Sequence, residues 1–357
     1  MSIGCCSKAL RVVRNALVAL VAFGGAPALG ADLRDAQLAG QRIVTAFRGT
    51  TLTPSLTGRI RHGEVAGVIL FGGNIRGVAQ SRALVAAIQA VPRPAGLRQP
   101  LFIMVDQEGG RVRRVPGGPP AASSISSDVA ALAAGRAAGQ VLRSVGANVN
   151  LAPVADVGRP GSFIRSQQRS YANTAATVSS RVVAFNRGLR GTGIVGCAKH
   201  FPGLGAARVN TDLAPSTVTV DLDTLRSTDE APFAALARDG IPLVMIASAS
   251  YPTLDARPAV LSRRVVRDEL RTRLGFQGLT ITDSLNAPAL RPNGGPGPVS
   301  VGAAAAGVDL MLVTSERAAT DVQRSLIHAF RTGRLRRDPA RRSVAHILAL
   351  RATLPTR

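Results

Sequence analysis

Eight short apolar runs, each followed by a longer stretch of helical character rich in Ala, Leu and Arg, constrain this chain more than any other feature. They lie at 41–47, 66–71, 101–105, 148–153, 194–199, 243–247, 279–282 and 309–313. The runs are nearly continuous in Val, Ile, Leu and Ala, so they read as parallel strands buried on both faces. Helical patterns fill the gaps, for example over 78–90, 128–145, 174–191 and 222–239. Eight alternations without a break in composition predict a single-domain α/β fold, a (β/α)8 TIM barrel over 31–357. A doubly wound open sheet is the alternative; no G-x-G-x-x-G opens a helix after a strand, which argues against its dinucleotide-binding form. Clusters of Pro and Gly at 116–120 and 292–298 predict the long loops.

The first thirty residues stand apart. Lys8, Arg11 and Arg14 precede an apolar stretch over 16–23, and the small residues Ala26, Ala28 and Gly30 follow. That order predicts a secretory signal peptide over 1–30 and export to the periplasm or beyond. Cys197 is then the last cysteine left, so no intrachain disulfide can form, and it reads as a small buried hydrophobe. The formal charge of +23 is almost wholly arginine, because Lys8 and Lys199 are the only lysines. The arginines are spread along the chain and aromatics make up only 3%, too few for base stacking. Composition thus argues against a nucleic-acid partner and for a solvated surface attracted to anionic polymers of the cell envelope. A monomer is expected.

In a barrel of this kind chemistry gathers at the C-terminal ends of the strands. The conspicuous polar residues fall there: Asp106 with Glu108, Asp156, Lys199 with His200, Ser248, and Asp283 with Ser284. Asp283 directly follows an apolar strand, which suits a rigidly placed nucleophile and equally a helix N-cap. Asp106 opens the string D-Q-E-G-G-R, where a carboxylate can accept from two sugar hydroxyls or simply begin a turn. Lys199 and His200 end a strand before a Pro-Gly turn. They suit an anionic or hydroxyl-rich ligand, or else a salt bridge and a capping imidazole.

The segment A-K-H-F-P-G-L-G-A-A-R-V-N-T-D, from Ala198 to Asp212, closely resembles the K-H-F-P-G-H-G…D-S-H segment of family 3 glycoside hydrolases of the β-N-acetylhexosaminidase type. V-D-Q-E-G-G-R-V resembles that family's sugar-binding loop, and L-G-F-Q-G-L-T-I-T-D-S-L its nucleophile strand. The likeness runs from about Ile43 to Leu350 and implies retaining hydrolysis of terminal N-acetylglucosamine-type residues in peptidoglycan or chitin-like fragments. By resemblance Asp283 is the nucleophile, and Asp106, Lys199 and His200 hold the sugar. Arg114 reaches the same sugar, with Arg111 as its alternative, and Arg169 does so with Arg165 as alternative. Asp156 supports the site from behind. The resemblance is to the single-domain kind, and no metal or organic cofactor is implied, since no cluster shows ligand spacing.

One departure matters. The family's acid/base dyad, Asp-x-His, is here Asn210-Thr211-Asp212, and Leu204 stands where the family has a loop histidine. Ser248 occupies another position where the family often has histidine. A retaining glycosidase needs a nucleophile and an acid about 5–5.5 Å apart. Three readings follow: Asp212 is the acid beside a supporting Asn210, the barrel is a degenerate carbohydrate binder, or Asp212 is a solvated loop residue.

Overall fold

The computed structural model describes residues 33–355. The expected signal peptide over 1–30 lies outside the described residues. Eight parallel strands form the central sheet: β1 (Ile43–Thr45), β2 (Gly67–Leu70), β3 (Phe102–Val105), β4 (Val149–Asn150), β5 (Val195–Phe201), β6 (Leu243–Ile246), β7 (Leu279–Thr282) and β8 (Met311–Val313). Each strand pairs with the next, and β8 pairs with β1 in register Ile43 with Met311. A parallel bridge between Ile281 and Leu310 closes the ring, with Thr282 N donating to Leu310 O and Leu310 N to Thr280 O, both at 2.9 Å. The closed ring excludes the open sheet.

Alternation along the strands divides the core in two. Val44, Ile69, Phe102, Met104, Val149, Cys197, Leu243, Met245, Leu279, Ile281 and Leu312 belong to the interior cluster. Their neighbours Ile43, Val68, Leu70, Ile103, Val105, Val244, Ile246, Met311 and Val313 belong to the cluster that the surrounding helices cover. Burial on both faces, at period two, explains why the strands read as unbroken apolar runs. Cys197 is fully buried among them and free.

Helices α1 (Val78–Ala90), α2 (Asp128–Val145) and α3 (Ala175–Arg190) follow β2, β3 and β4. The helical stretch expected over 222–239 is broken: a turn at Leu222–Thr224 runs into a wide π-type turn at Leu225–Asp229 before α4 (Ala231–Arg238). Pro232 sits in the first turn of α4, where its missing N–H costs nothing. The loop expected over 292–298 is a second departure. A 3-10 helix covers Pro288–Asn293 and α5 begins at Pro296 and runs to Ala306. Gly294 and Gly295, at φ +96° and +75°, make the junction. The segment 116–120 is irregular, as expected.

The two ends of the barrel differ. Beneath the strand starts lies α6 (Arg337–Ala352), whose Ile347, with Leu354 just beyond, joins the interior cluster. The fully buried Arg351 donates to Gln41 Oε1 and to the carbonyls of Gln99 and Pro100 (2.5–2.8 Å), ahead of β1 and β3. That end is sealed. The other end opens into a cavity.

Candidate active site

The cavity at the C-terminal ends of the strands has a volume of about 500 Å³. Ile69, Leu151, Met245 and Leu312, from the uppermost interior layer, form its apolar floor. Asp106, Arg114, Arg169, Lys199, His200, Asn210, Asp212 and Asp283 all line it. Asp156 does not; it lies behind His200.

The loop after β3 is built around Gln107. Its backbone exchanges two hydrogen bonds with the side chain of Asn150 (3.0 and 3.1 Å). Its side chain accepts from the backbone N–H groups of Arg114 and Val115 and donates to the carbonyls of Val115 and Gly117. The residue between two candidate sugar contacts thus holds the whole turn. The two glycines are required by space: Gly109 has φ +113°, and a Cβ there would lie 2.2 Å from Pro120 O. Arg114 is thereby set with Nη2 3.9 Å from Asp106 Oδ2 and its guanidinium over the Phe71 ring. Arg111 and Arg165 are exposed and do not reach the cavity, so Arg114 and Arg169 are the arginines that do.

Glu108 is the residue that sequence reasoning left without a role. Its carboxylate takes a two-pronged bond from Arg169 (Nε and Nη2, both 2.8 Å) and a third from Lys199 Nζ at 2.7 Å. Lys199 Nζ also lies 2.6 Å from Asp106 Oδ1. Two cations and two carboxylates therefore form one buried chain. Burial pushes the Glu108 carboxyl up, yet Arg169 and Lys199 outweigh it and hold the group well below the usual carboxylate range. Burial likewise opposes the Lys199 ammonium, while Asp106 and Glu108 hold it above the usual lysine range.

His200 is fixed from behind. Asp156, with no exposed surface, accepts from His200 Nδ1 (2.8 Å), from His200 N (3.2 Å) and from Leu204 N (2.7 Å). Because the carboxylate can only accept, Nδ1 carries the proton toward it and Nε2 is left for the cavity. Leu204, in place of a histidine, lines the cavity and is 1% exposed. Ser248 is also buried; its Oγ finds no partner, and it does not line the cavity.

Asp283 follows β7, with its N–H donating to Ile246 O and its Oδ1 accepting from Ser284 N at 2.7 Å. Burial raises its carboxyl above the ordinary value; His200 pulls it down and Asp212 pushes it up. Asp212 is therefore an electrostatic neighbour of Asp283, although its residue is exposed. The loop carrying it is pinned along the segment after β4. Arg159 N donates to Gly205 O, Phe163 N to Ala207 O, and a Cβ on Gly205 would lie 2.0 Å from Val157 O. Asn210 Oδ1 accepts from Asp212 N at 3.0 Å, and its carbonyl accepts from Leu213 N and Ala214 N. Asn210 thus shapes the turn that presents Asp212.

Residues 40–350 match the family described as Glycosyl hydrolase family 3 N terminal domain. A secreted glycosyl hydrolase of Arthroderma benhamiae is 39% identical over 351 residues, covering 95% of this chain and 98% of its own. A family 3 β-N-acetylglucosaminidase from Paenibacillus superposes with a TM-score of 0.85 at 32% identity; the match covers 90% of this chain and 63% of that one. A β-N-acetylhexosaminidase from Beutenbergia cavernae superposes with a TM-score of 0.82 at 30% identity, covering 90% of this chain and 99% of that one.

Proposed function

Because the chain belongs to glycosyl hydrolase family 3, we propose that this cavity performs retaining hydrolysis of terminal N-acetylglucosamine-type residues from peptidoglycan or chitin-like fragments. The observation that carries the reading is the placement of Asp283. It stands at a strand end in the same cavity as a preformed cluster of hydrogen-bonding groups, and a second carboxylate, Asp212, lines that cavity too. Asp106, Arg114, Arg169, Lys199 and His200 are assigned to the sugar; Asp156 and Glu108 hold them in place. In this reading Asp283 Oδ2, the oxygen not bonded to Ser284 N, attacks the anomeric carbon as the glycosidic bond breaks. Asp212 gives its proton to the departing oxygen, and in the second half-reaction takes one from the water that releases the sugar.

A second reading, a carbohydrate-binding barrel with degraded turnover, is supported by the loop itself. Asn210 is engaged in its own turn and Asp212 is exposed. Loss of a general acid costs about 10²–10⁴-fold. Among the described residues no helix is long and apolar enough to cross a membrane. Export through the segment at 1–30, action as a monomer, attraction to anionic envelope polymers and no role for nucleic acid belong to the same proposal.

Two measurements on purified protein test it: turnover of an aryl β-N-acetylglucosaminide against the matching β-glucoside, and the same assay on Asp283→Asn. The expected result is preference for the acetylated sugar, with turnover abolished and sugar binding within a few-fold in the variant. Asp283→Asn activity within tenfold of the parent removes Asp283 as nucleophile; binding of N-acetylglucosamine without any turnover selects the degraded barrel.

A further inference from the structure

The sealed end of the barrel carries a depression of about 710 Å³ that the proposed chemistry does not use. Seven arginines and a single carboxylate line it. Arg42 and Arg271 form the floor, Arg263 and Arg267 one wall, and Arg334, Arg336 and Arg342 the other. The floor is internally satisfied. Arg42 donates to the carbonyls of Val308 and Asp309, and Arg271 Nη2 lies 2.8 Å from Asp309 Oδ2. Asp309 also accepts from Thr280 N, Thr280 Oγ1 and Ser343 Oγ (2.7–3.0 Å), so it is engaged with the floor, the start of β7 and α6. Among the described residues, none of the five wall arginines forms an ion pair with a carboxylate.

Arginine abundance alone does not produce this. The cavity at the other end sets Asp106, Glu108, Asp212 and Asp283 against Arg114, Arg169 and Lys199 and is close to balanced. A second depression, beneath the starts of β4 and β5, is lined by Arg82, Arg93, Arg98 and Arg143 and by no carboxylate. The two ends differ in the balance of their linings: four carboxylates stand among three cations at the mouth, and one carboxylate among seven arginines in the depression at the sealed end. Guanidinium groups within a Debye length of about 8 Å repel one another unless an anion lies between them. The planar fork of arginine matches a phosphate oxygen pair, and a row of forks on two walls matches a chain of phosphates.

We propose that the depression between Arg263 and Arg267 on one side and Arg334, Arg336 and Arg342 on the other is a docking site for a flexible phosphate polymer. Bound there, the polymer leaves the sugar cavity at the opposite end of the barrel free to face its substrate. The lining holds no exposed Phe, Tyr or Trp: Phe330 is buried, and the half-buried imidazole of His346 is the other ring, so the surface offers little on which nucleic-acid bases can stack. The inference deepens the reading of the basic surface as polymer-attracting and is independent of the hydrolase assignment.

Long-chain inorganic polyphosphate is the probe, titrated into the full chain at several salt concentrations. Affinity should fall steeply with salt, as it does when several cations each neutralise a phosphate. The triple variant Arg334→Gln, Arg336→Gln, Arg342→Gln should bind at least tenfold more weakly and with a shallower salt dependence, while turnover of a soluble aryl glycoside stays within twofold. A control triple, Arg61→Gln, Arg136→Gln, Arg238→Gln, removes the same charge from exposed positions elsewhere. Equal loss in both triples, or no polyphosphate binding by the parent, overturns the proposal. Tighter binding of single-stranded DNA of matched charge, lost in the first triple, overturns it in favour of nucleic acid.

Discussion

Glu108→Gln isolates the energetic centre of the cavity. The change keeps size and shape and removes one charge from a chain of two cations and two carboxylates. Arg169 then loses its ion-pair partner, and one of its N–H donors faces the new amide N–H₂. Lys199 keeps Asp106 at 2.6 Å. Glu108 is 6% exposed, Lys199 is 3%, and the three contacts made are 2.7–2.8 Å long, so water cannot replace what is lost. Breaking one side of a buried, hydrogen-bonded ion pair costs about 3–5 kcal/mol, mostly the price of the charge left behind. At about 2–4 °C per kcal/mol in domains of 150–250 residues, and less in a larger one, the melting midpoint should fall by roughly 5–15 °C. The pH dependence has a definite sign. A carboxyl held low in the folded state contributes fully above its ordinary value of 4.5, so the gap should be constant above about pH 5 and narrow below it. Asp338→Asn is the control: Asp338 is 77% exposed beside Arg341, and a surface pair is worth about 1 kcal/mol or less. Differential scanning calorimetry of parent, variant and control between pH 3 and 8 tests this. A Glu108→Gln midpoint within about 2 °C of the parent at neutral pH would refute the reasoning.

Two further expectations concern the altered loop. Asp212→Asn removes the like charge that pushes Asp283 up, so the acid limb of kcat/KM for an activated aryl glycoside should move to lower pH; an unmoved or raised limb separates the two groups. Asp212→Ala should slow a natural disaccharide by about 10²–10⁴-fold and an activated glycoside much less. If it is silent on both, and the pair Asn210→Asp with Asp212→His raises activity instead, Asp212 is not the acid.

The strands were legible because burial on both faces leaves no other composition open to them. All eight expected strands occur within three residues of their expected ends, and β7 matches at both. Helices α1 and α2 were legible to the residue, Ser127 capping α2 through Ala130 N. The region 292–298 misled because Pro reads as a breaker, yet Pro296 opens a helix where no N–H is needed. The sealing of the barrel could not be read at all. Arg351 looks like a surface helix residue, and nothing local reveals that its donors meet carbonyls some 250 residues away. Most of the candidate site was legible as strand-end polar residues. Gln107 and Glu108 escaped because they act on other side chains, through contacts that exist only once β3, β4 and β5 stand side by side. The signal available was position: both lie in the string that carries Asp106.

The loop after β5 shows how one substitution alters a distant charge. A histidine at 212, as in the family dyad, would place a group that can become positive near Asp283; Asp212 places a carboxyl there, which when ionised adds to burial in raising Asp283. A nucleophile must be ionised, so the barrel has to counter that push from elsewhere. His200 and Lys199 do so, both lowering Asp283, and His200 contributes more. Its placement rests on Asp156, which fixes the ring by Nδ1. Asp156 also accepts from Leu204 N at the head of the loop that carries Asp212. One buried carboxylate therefore ties together the group that lowers Asp283 and the segment whose far end raises it. With the dyad histidine gone, His200, the Ser284 N–H and Lys199 are the groups that oppose burial and Asp212 at Asp283.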